Sequence, residues 1–155
     1  MLSGSSKNQG KIYQPIPGDV EEIAKKILDA AYMVHTALGP GLIESVYETC
    51  LGYELSNMGV AFQAQAELPV VYKDITVGSG LRLDLLVEKC VIVEIKAVEN
   101  IIPVHKAQLL TYLKLSGVRL GFLINFNVPR LKDGITRFVI QFKKNFVFFV
   151  SVVVI

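Results

Sequence analysis

The chain has 155 residues, 52% of them hydrophobic and 19% charged, which is enough to bury one sizeable core but too little for two ordinary domains. Its formal net charge of +2 excludes a protein that binds nucleic acid by phosphate neutralisation alone, and it selects no partner by itself. Cys50 and Cys90 have no second pair for a metal site. We therefore interpret them as buried free thiols, which suits a reducing cytoplasm.

The first half of the chain predicts an arm followed by two helices. Residues 1–18 are rich in Gly, Ser and Pro without a hydrophobic period, so they predict a disordered N-terminal arm, and no secretory signal is visible there. Residues 19–140 predict one folded domain. Asp19 is a plausible N-cap, and apolar residues then recur at helical spacing until GPG. A second helix is expected from near Leu42 to residues 57–59.

The second half of the domain predicts strands around one more helix. Three strand-like stretches follow one another, VAFQAQAELPVVYK, ITVGSGLRLDLLVE and CVIVEIKAV. VHKAQLLTYLKLSG then predicts a helix, and VRLGFLINFNV predicts a further strand. The order helix, helix, three strands, helix, strand predicts an α/β domain, with a mixed β-sheet flanked by α-helices.

The C-terminal tail, residues 141–155, is almost wholly apolar from NFVFFVSVVVI onward. As a helix this stretch would span only about 15 Å at ~1.5 Å per residue, about half of a ~30 Å bilayer core, so we predict no membrane span. Its Val and Phe content favours an added strand at a sheet edge, or a contact between two copies in a homodimer. A peripheral membrane contact is a third, less favoured interpretation.

Two charged residues, Glu94 and Lys96, interrupt the apolar stretch VIVEIKAV and would share one face of a strand. Asp84 lies on the preceding strand, and Arg82, on the same face as Asp84, is a candidate substrate-binding residue. If the two strands form a hairpin around residues 88–89, Asp84 and Glu94 come close. Four apolar residues are expected together on the other face of Asp84's strand: Leu81, Leu83, Leu85 and Val87.

Two close carboxylates in a partly buried site are costly unless something neutralises them. Mg²⁺ or Mn²⁺ is suitable, because these hard cations bind one or two carboxylates and keep several waters. Lys96 could then polarise a metal-bound water or stabilise charge on a phosphate under attack. The alternative is an ordinary surface ion pair between Glu94 and Lys96, worth at most about 1 kcal/mol. The spacing alone favours this alternative.

The arrangement of Asp84 on one strand and Glu94 and Lys96, in E-x-K, on the next resembles the PD-(D/E)XK nuclease superfamily, although RLD stands here where that name has PD. On the helix that follows, Gln108 and Tyr112 match the Q-x-x-x-Y motif of its RecB-like branch.

A narrower resemblance comes from GLIESVY, residues 41–47, which matches the signature of the GxxExxY family of small bacterial proteins. RLDLLVE, VHKAQLLTYL and LINFNVP also resemble that family, and the resemblance spans roughly residues 19–139. The apolar tail beyond it has no counterpart that we can place.

The resemblance implies a restriction-endonuclease-like core with a Mg²⁺-dependent phosphodiesterase site, in which Mn²⁺ is expected to substitute. Asp84 and Glu94 would ligate the metal, and Glu44 would complete its shell or bind a second ion. Lys96 would position the attacking water, and Gln108 would contact DNA or orient Lys96.

The remaining candidates each have a structural alternative. Tyr112, Tyr47 and His105 are candidate substrate-binding residues, but Tyr112 could pack between helix and sheet, Tyr47 in the core, and His105 at a helix cap or in solvent. Glu44 could equally be a solvated helix glutamate, and we expect His35 to be a packed or surface histidine.

We therefore predict a metal-dependent nuclease that hydrolyses DNA phosphodiester bonds. RNA stays open as a substrate, because nothing in the sequence is specific for a 2′-hydroxyl. The alternative function is a catalytically silent module on the same fold that binds nucleic acid or another protein.

Overall fold

The computed structural model describes residues 14–143 and 146–154. Most of the expected N-terminal arm, residues 1–13, lies outside the described residues. The elements in chain order are α1 (Gly18–Leu38), α2 (Glu44–Asn57), β1 (Phe62–Tyr72), β2 (Ile75–Val87), β3 (Val91–Lys96), α3 (Pro103–Ser116), β4 (Leu120–Asn125), a 3₁₀ turn (Leu131–Gly134), β5 (Ile135–Lys143) and β6 (Phe146–Val154).

The strands form one sheet in the order β1-β2-β3-β4-β5-β6. β3 and β4 run parallel and the other neighbours antiparallel, so the sheet is mixed. The predicted α/β fold with a mixed sheet and flanking helices is confirmed. β5 was not among the predicted strands, and β6, from the apolar tail, pairs with it at the edge of the sheet. Among the described residues, no helix combines the length and apolarity needed to cross a membrane.

Both faces of the sheet are covered, which makes β3 a buried central strand. Its residues Val91, Val93 and Ile95 pack in a core cluster with α1 and α2, while Ile92 packs in a second cluster with α3. A strand buried on both faces needs a near-continuous apolar run, which the sequence of β3 supplies up to Glu94. The charged end of β3 is therefore the exception within the core.

The two N-terminal helices begin at different residues from those predicted. Pro17, not Asp19, is the N-cap of α1, because the Pro17 carbonyl already accepts the Glu21 N–H at 3.0 Å. Asp19 lies in the first turn, and its side chain accepts the N–H of the adjacent Val20 at 3.0 Å. The second helix begins at Glu44 rather than near Leu42, and Glu44 is therefore its first residue.

The side-chain alternation of β2 changes face at Asp84. Leu83 packs in the α3 cluster, whereas Leu85 and Val87 pack with α1 and α2, so the prediction of one shared face was wrong. On the neighbouring strand, Gln65 has φ +52°, in the left-handed region that a non-glycine residue seldom adopts. Gln65 and Asp84 both fall between the pairs Ala64–Leu85 and Ala66–Leu83, so the two strands depart from regular pleating at the same point.

Candidate active site

A tight turn brings Asp84 and Glu94 together. Glu88 and Lys89 both have positive φ, +48° and +57°, as a type I′ hairpin turn requires. The Cys90 N–H closes the turn on the Val87 carbonyl at 3.0 Å. The hairpin pairs Leu85 with Val93, so the next residue out on each strand is an acid. The expected hairpin at residues 88–89 is thus present.

The two acids are interlocked through the backbone. The Asp84 N–H donates to Glu94 Oε1 at 3.1 Å, and the Ile95 N–H donates to Asp84 Oδ2 at 2.8 Å. Each carboxylate therefore takes the place of a backbone acceptor on the opposite strand, just beyond the last paired residues. This holds both acids at the point where β2 leaves β3.

Glu94 is almost fully buried, with 3% of its surface exposed. Burial is the main cause that raises its pKa to about 8, and the charge of Asp84 adds to the rise. The charge of Lys96 opposes this rise only in part, so at neutral pH and without a bound metal ion Glu94 mostly keeps its proton. A bound cation would favour the ionised form and release that proton.

Lys96 lies on the same face of β3 as Glu94, and α3 holds its side chain. Its Nζ donates to Gln108 Oε1 at 3.4 Å. Tyr112, one turn after Gln108, is buried, and its pKa is raised by burial first and then by the charges of Glu94 and Asp84. The structure therefore brings the Q-x-x-x-Y residues of α3 to the acidic pair and to Lys96.

Helix α2 reaches the site from the opposite face of the sheet. Glu44 is exposed at the start of α2, and its Oε1 accepts the N–H of Ala97, the residue after Lys96, at 3.4 Å. One turn later, Glu48 Oε2 accepts from Gln65 Nε2 at 2.9 Å, and that amide also lies 3.4 Å from Asp84 Oδ1.

Glu48 and Gln65 are site residues that the sequence interpretation missed. Burial raises the pKa of Glu48, the hydrogen bond from Gln65 opposes this, and the charges of Asp84 and Glu44 add to the rise. The available signal was the i, i+4 spacing of Glu44 and Glu48, which places both on one helix face. Nothing in the sequence indicated Gln65, because its role depends on the irregular backbone of β1.

Tyr47 lies in the core, which is the structural alternative to its predicted substrate-binding role. Its side chain is fully buried, and its ring stacks on Phe126 with centroids 4.5 Å apart. Its hydroxyl donates to the Gly39 carbonyl at 2.6 Å and accepts the Leu42 N–H at 3.2 Å. Tyr47 therefore fixes the start of α2, and with it Glu44, on the end of β4.

The other candidates lie around the site rather than in it. His105 Nδ1 accepts the Ile102 N–H at 3.2 Å, so the capping alternative describes this residue. With Gln108 and Tyr112 it also borders a groove of about 470 Å³. Arg82 is exposed and pairs with Glu67 at 3.9 Å. His35 packs with its Nε2 2.8 Å from the Val128 carbonyl, as expected for a packed histidine.

The donor set fits a hard divalent cation in its chemistry. Among the described side chains, no group of three or more Asp, Glu, His or Cys residues is already arranged to hold a metal ion. Asp84 and Glu94 are nevertheless two carboxylates held in one partly buried place, where burial and then the charge of Asp84 raise the pKa of Glu94 to about 8. Mg²⁺ and Mn²⁺ prefer such oxygen ligands.

Comparison with known proteins agrees with the mixed sheet flanked by helices. The model of the PD-(D/E)XK nuclease superfamily matches residues 21–138, about three quarters of the chain. The chain therefore belongs to the PD-(D/E)XK nuclease superfamily, whose members are generally nucleases and typically use divalent metal ions. No significant match was found among curated proteins or among solved structures.

Proposed function

We propose that this protein is a metal-dependent nuclease that hydrolyses DNA phosphodiester bonds, with Mg²⁺ as its ion and Mn²⁺ able to substitute. The observation that carries the proposal is the interlocked pair Asp84 and Glu94 with Lys96 beside it, in a chain of this superfamily. A buried acid beside a second, half-buried acid costs folding free energy, and a role in phosphodiester hydrolysis would explain why the pair is present.

We propose a role for five of the site residues. Asp84 and Glu94 would hold the metal, and Glu44 would complete its shell. When bound, the ion polarises the phosphate and makes water a better nucleophile. Lys96 is the cation that positions the attacking water, and Gln108 orients its ammonium group through the hydrogen bond between them.

We propose a finer placement of the chain on its motifs. GLIESVY and LINFNVP support the GxxExxY family, and Gln108 with Tyr112 supports the RecB-like branch. The free thiols of Cys50 and Cys90 suit action in the cytoplasm. RNA as a substrate stays a prediction, which a cleavage assay on RNA would test. A homodimer also stays a prediction, which a measurement of molecular mass in solution would test.

The second candidate is a catalytically silent module that binds nucleic acid or another protein. Asp84 and Glu94 already accept backbone hydrogen bonds, and this observation favours the silent module. A carboxylate with such partners can hold two strands together without binding a metal ion. Such a module would bind DNA in a salt-dependent manner that is indifferent to Mg²⁺.

The test is a cleavage assay with purified protein on linear, circular and single-stranded DNA, with Mg²⁺, Mn²⁺ or EDTA. We expect cleavage with either metal and none with EDTA. Asp84→Asn and Glu94→Gln keep the shape of each side chain and remove its charge, and both should abolish cleavage. Lys96→Met should lower kcat by about 10²- to 10³-fold, the usual cost of removing one group that stabilises transition-state charge.

The matched control is Glu22→Gln, which removes one carboxylate from an exposed position on α1. It should cleave like the wild type. Cleavage that survives Asp84→Asn or Glu94→Gln would refute the mechanism. Metal-indifferent binding without cleavage would instead support the silent module.

A further inference from the structure

A buried amide, Asn125, holds the chain where it leaves the candidate site. Asn125 is the last residue of β4 and lies opposite Lys96 in the parallel pairing of β3 and β4. Only 3% of its surface is exposed. A buried amide is costly unless its polar atoms find partners, so those partners show what the residue holds in place.

Asn125 binds both backbone groups of Val98. Its Nδ2 donates to the Val98 carbonyl at 2.9 Å, and its Oδ1 accepts the Val98 N–H at 3.1 Å. The same Oδ1 accepts the Asn127 N–H at 3.2 Å. The side chain thus continues the pairing of β3 beyond Lys96, where the strand itself has ended.

We call these hydrogen bonds between Asn125 and Val98 the clamp. The clamp lies next to the backbone that carries Lys96 and contacts Glu44. Ala97, between Lys96 and Val98, is the residue whose N–H meets Glu44 Oε1. The adjacent Phe126 donates its N–H to the Lys96 carbonyl at 2.9 Å and carries the ring on which Tyr47 stacks. The end of β4 therefore contacts both the E-x-K strand and the helix that bears Glu44.

The backbone of Asn125 is packed closely against the 3₁₀ turn. A Cβ on Gly134, in the 3₁₀ turn, would lie 2.1 Å from the Asn125 carbonyl oxygen. Real Cβ atoms do not come so close, and only glycine allows the turn to press on the end of β4 in this way. The clamp is a fixed part of the fold rather than an adaptable surface contact.

We propose that Asn125 is a positioning residue of the nuclease site. By fixing Val98 it sets the separation of Glu44 from the acidic pair and the direction in which Lys96 leaves β3. This inference rests on the proposed function. It adds a residue that would act through Glu44 and Lys96 without touching metal or substrate.

The test compares Asn125→Ala and Asn125→Ser with Gln141→Ala. Gln141 is a matched control, because it is also a buried amide on the sheet, but it holds Gln14 beyond the opposite end of β4. Three quantities are measured on the full chain: Mn²⁺ affinity by calorimetry without DNA, amide hydrogen exchange of residues 97–102, and kcat and KM for DNA cleavage.

We expect Asn125→Ala to weaken Mn²⁺ binding by about 10- to 100-fold, as loss of a residue supporting metal ligands typically does. Exchange in residues 97–102 should accelerate, and kcat should fall with little change in KM. The serine side chain in Asn125→Ser is too short to reach both backbone groups of Val98, so this variant should show the same changes. It replaces Asn125→Ala in the comparison if the alanine variant does not fold. Gln141→Ala should lose stability and change none of these readouts.

Two failures are distinguishable. If the wild type binds Mn²⁺ and cleaves DNA, and the Asn125 variants match it or Gln141→Ala loses as much as they do, the positioning role is overturned while the nuclease stands. If the wild type neither binds Mn²⁺ nor cleaves DNA, the proposed function is overturned, and this inference with it.

Discussion

Glu94 illustrates how one residue can be unfavourable for folding and useful for chemistry. It is buried beside a second acid, and the structure meets the cost by leaving it protonated near neutral pH. A folded protein with no use for that group would gain stability by replacing it with a neutral side chain of the same shape.

The first prediction is a pH dependence of stability measured in EDTA. In the unfolded chain Glu94 loses its proton near the usual glutamate pKa of 4.5, but in the native state it does so only near a pKa of about 8. Between these values the native state holds the extra proton, so each rise in pH favours the unfolded chain and the free energy of unfolding falls. Glu94→Gln should remove this fall and be more stable than the wild type above pH 8 by about 1–3 kcal/mol.

Urea denaturation at a series of pH values measures this difference. Glu22→Gln is again the control, and its stability should follow the wild-type curve, because its carboxylate is exposed. Parallel curves for the wild type and Glu94→Gln would contradict the buried, protonated state of Glu94.

At the level of single residues, the sequence predicted the acidic pair but not the side chains around it. Strand periodicity places Glu94 and Lys96 on one face, and the two-residue turn places Asp84 opposite Glu94, and both are local rules. The contacts of Glu48 with Gln65 and of Asn125 with Val98 join residues 17 and 27 positions apart. They depend on a strand irregularity and on strand order, which local rules do not give.

Among the elements, α2 shows how a core residue can serve a site without reaching it. Tyr47 attaches the first turn of the helix to Phe126 through its ring and to the preceding loop through its hydroxyl. The same attachment fixes the position of Glu44, because Glu44 lies one turn before Tyr47 on the same helix.

We predict that Tyr47→Phe lowers the free energy of unfolding by about 1–3 kcal/mol, since the Gly39 carbonyl and the Leu42 N–H lose a buried partner. Tyr47→Ala should cost about 3–5 kcal/mol, because it also leaves a cavity beside Phe126. Chemical denaturation measures both. Tyr53→Phe, on the same helix but 65% exposed, should be neutral. If Tyr47→Phe were as stable as the wild type but bound DNA more weakly, this result would support the substrate-binding role of Tyr47.

The elements that the sequence predicted were those with a clear period or clear ends. The first helix has apolar residues at helical spacing, the other two helices have distinct ends, and β3 is a short apolar run. β5 was missed because polar residues interrupt its apolar pattern. Thr136 and Gln141 are buried in β5, and Arg137 pairs with Glu21 of α1. Only the tertiary partners show that these side chains belong in a central strand.

For the whole molecule, a metal ion that binds only the folded chain must stabilise it. At a concentration about 100 times its Kd, an ion contributes about 2.7 kcal/mol, which raises the Tm of a domain of this size by about 5–10 °C. We predict such a rise for the wild type with Mn²⁺, followed by a thermal melt. Asp84→Asn and Glu94→Gln should show a much smaller rise. An equal rise in all three proteins would mean that the ion binds elsewhere.

The parallel pairing of β3 with β4 has a consequence for the time at which the site appears during synthesis. A nascent chain that has left the ribosome only as far as α3 already contains every acidic residue of the site, yet it lacks the strand that supports the end of β3. Glu44 and Ala97 also meet across 53 positions, so their contact waits for long-range closure. We therefore expect that the candidate site cannot assemble on a growing polypeptide until Asn125 and Phe126 have emerged.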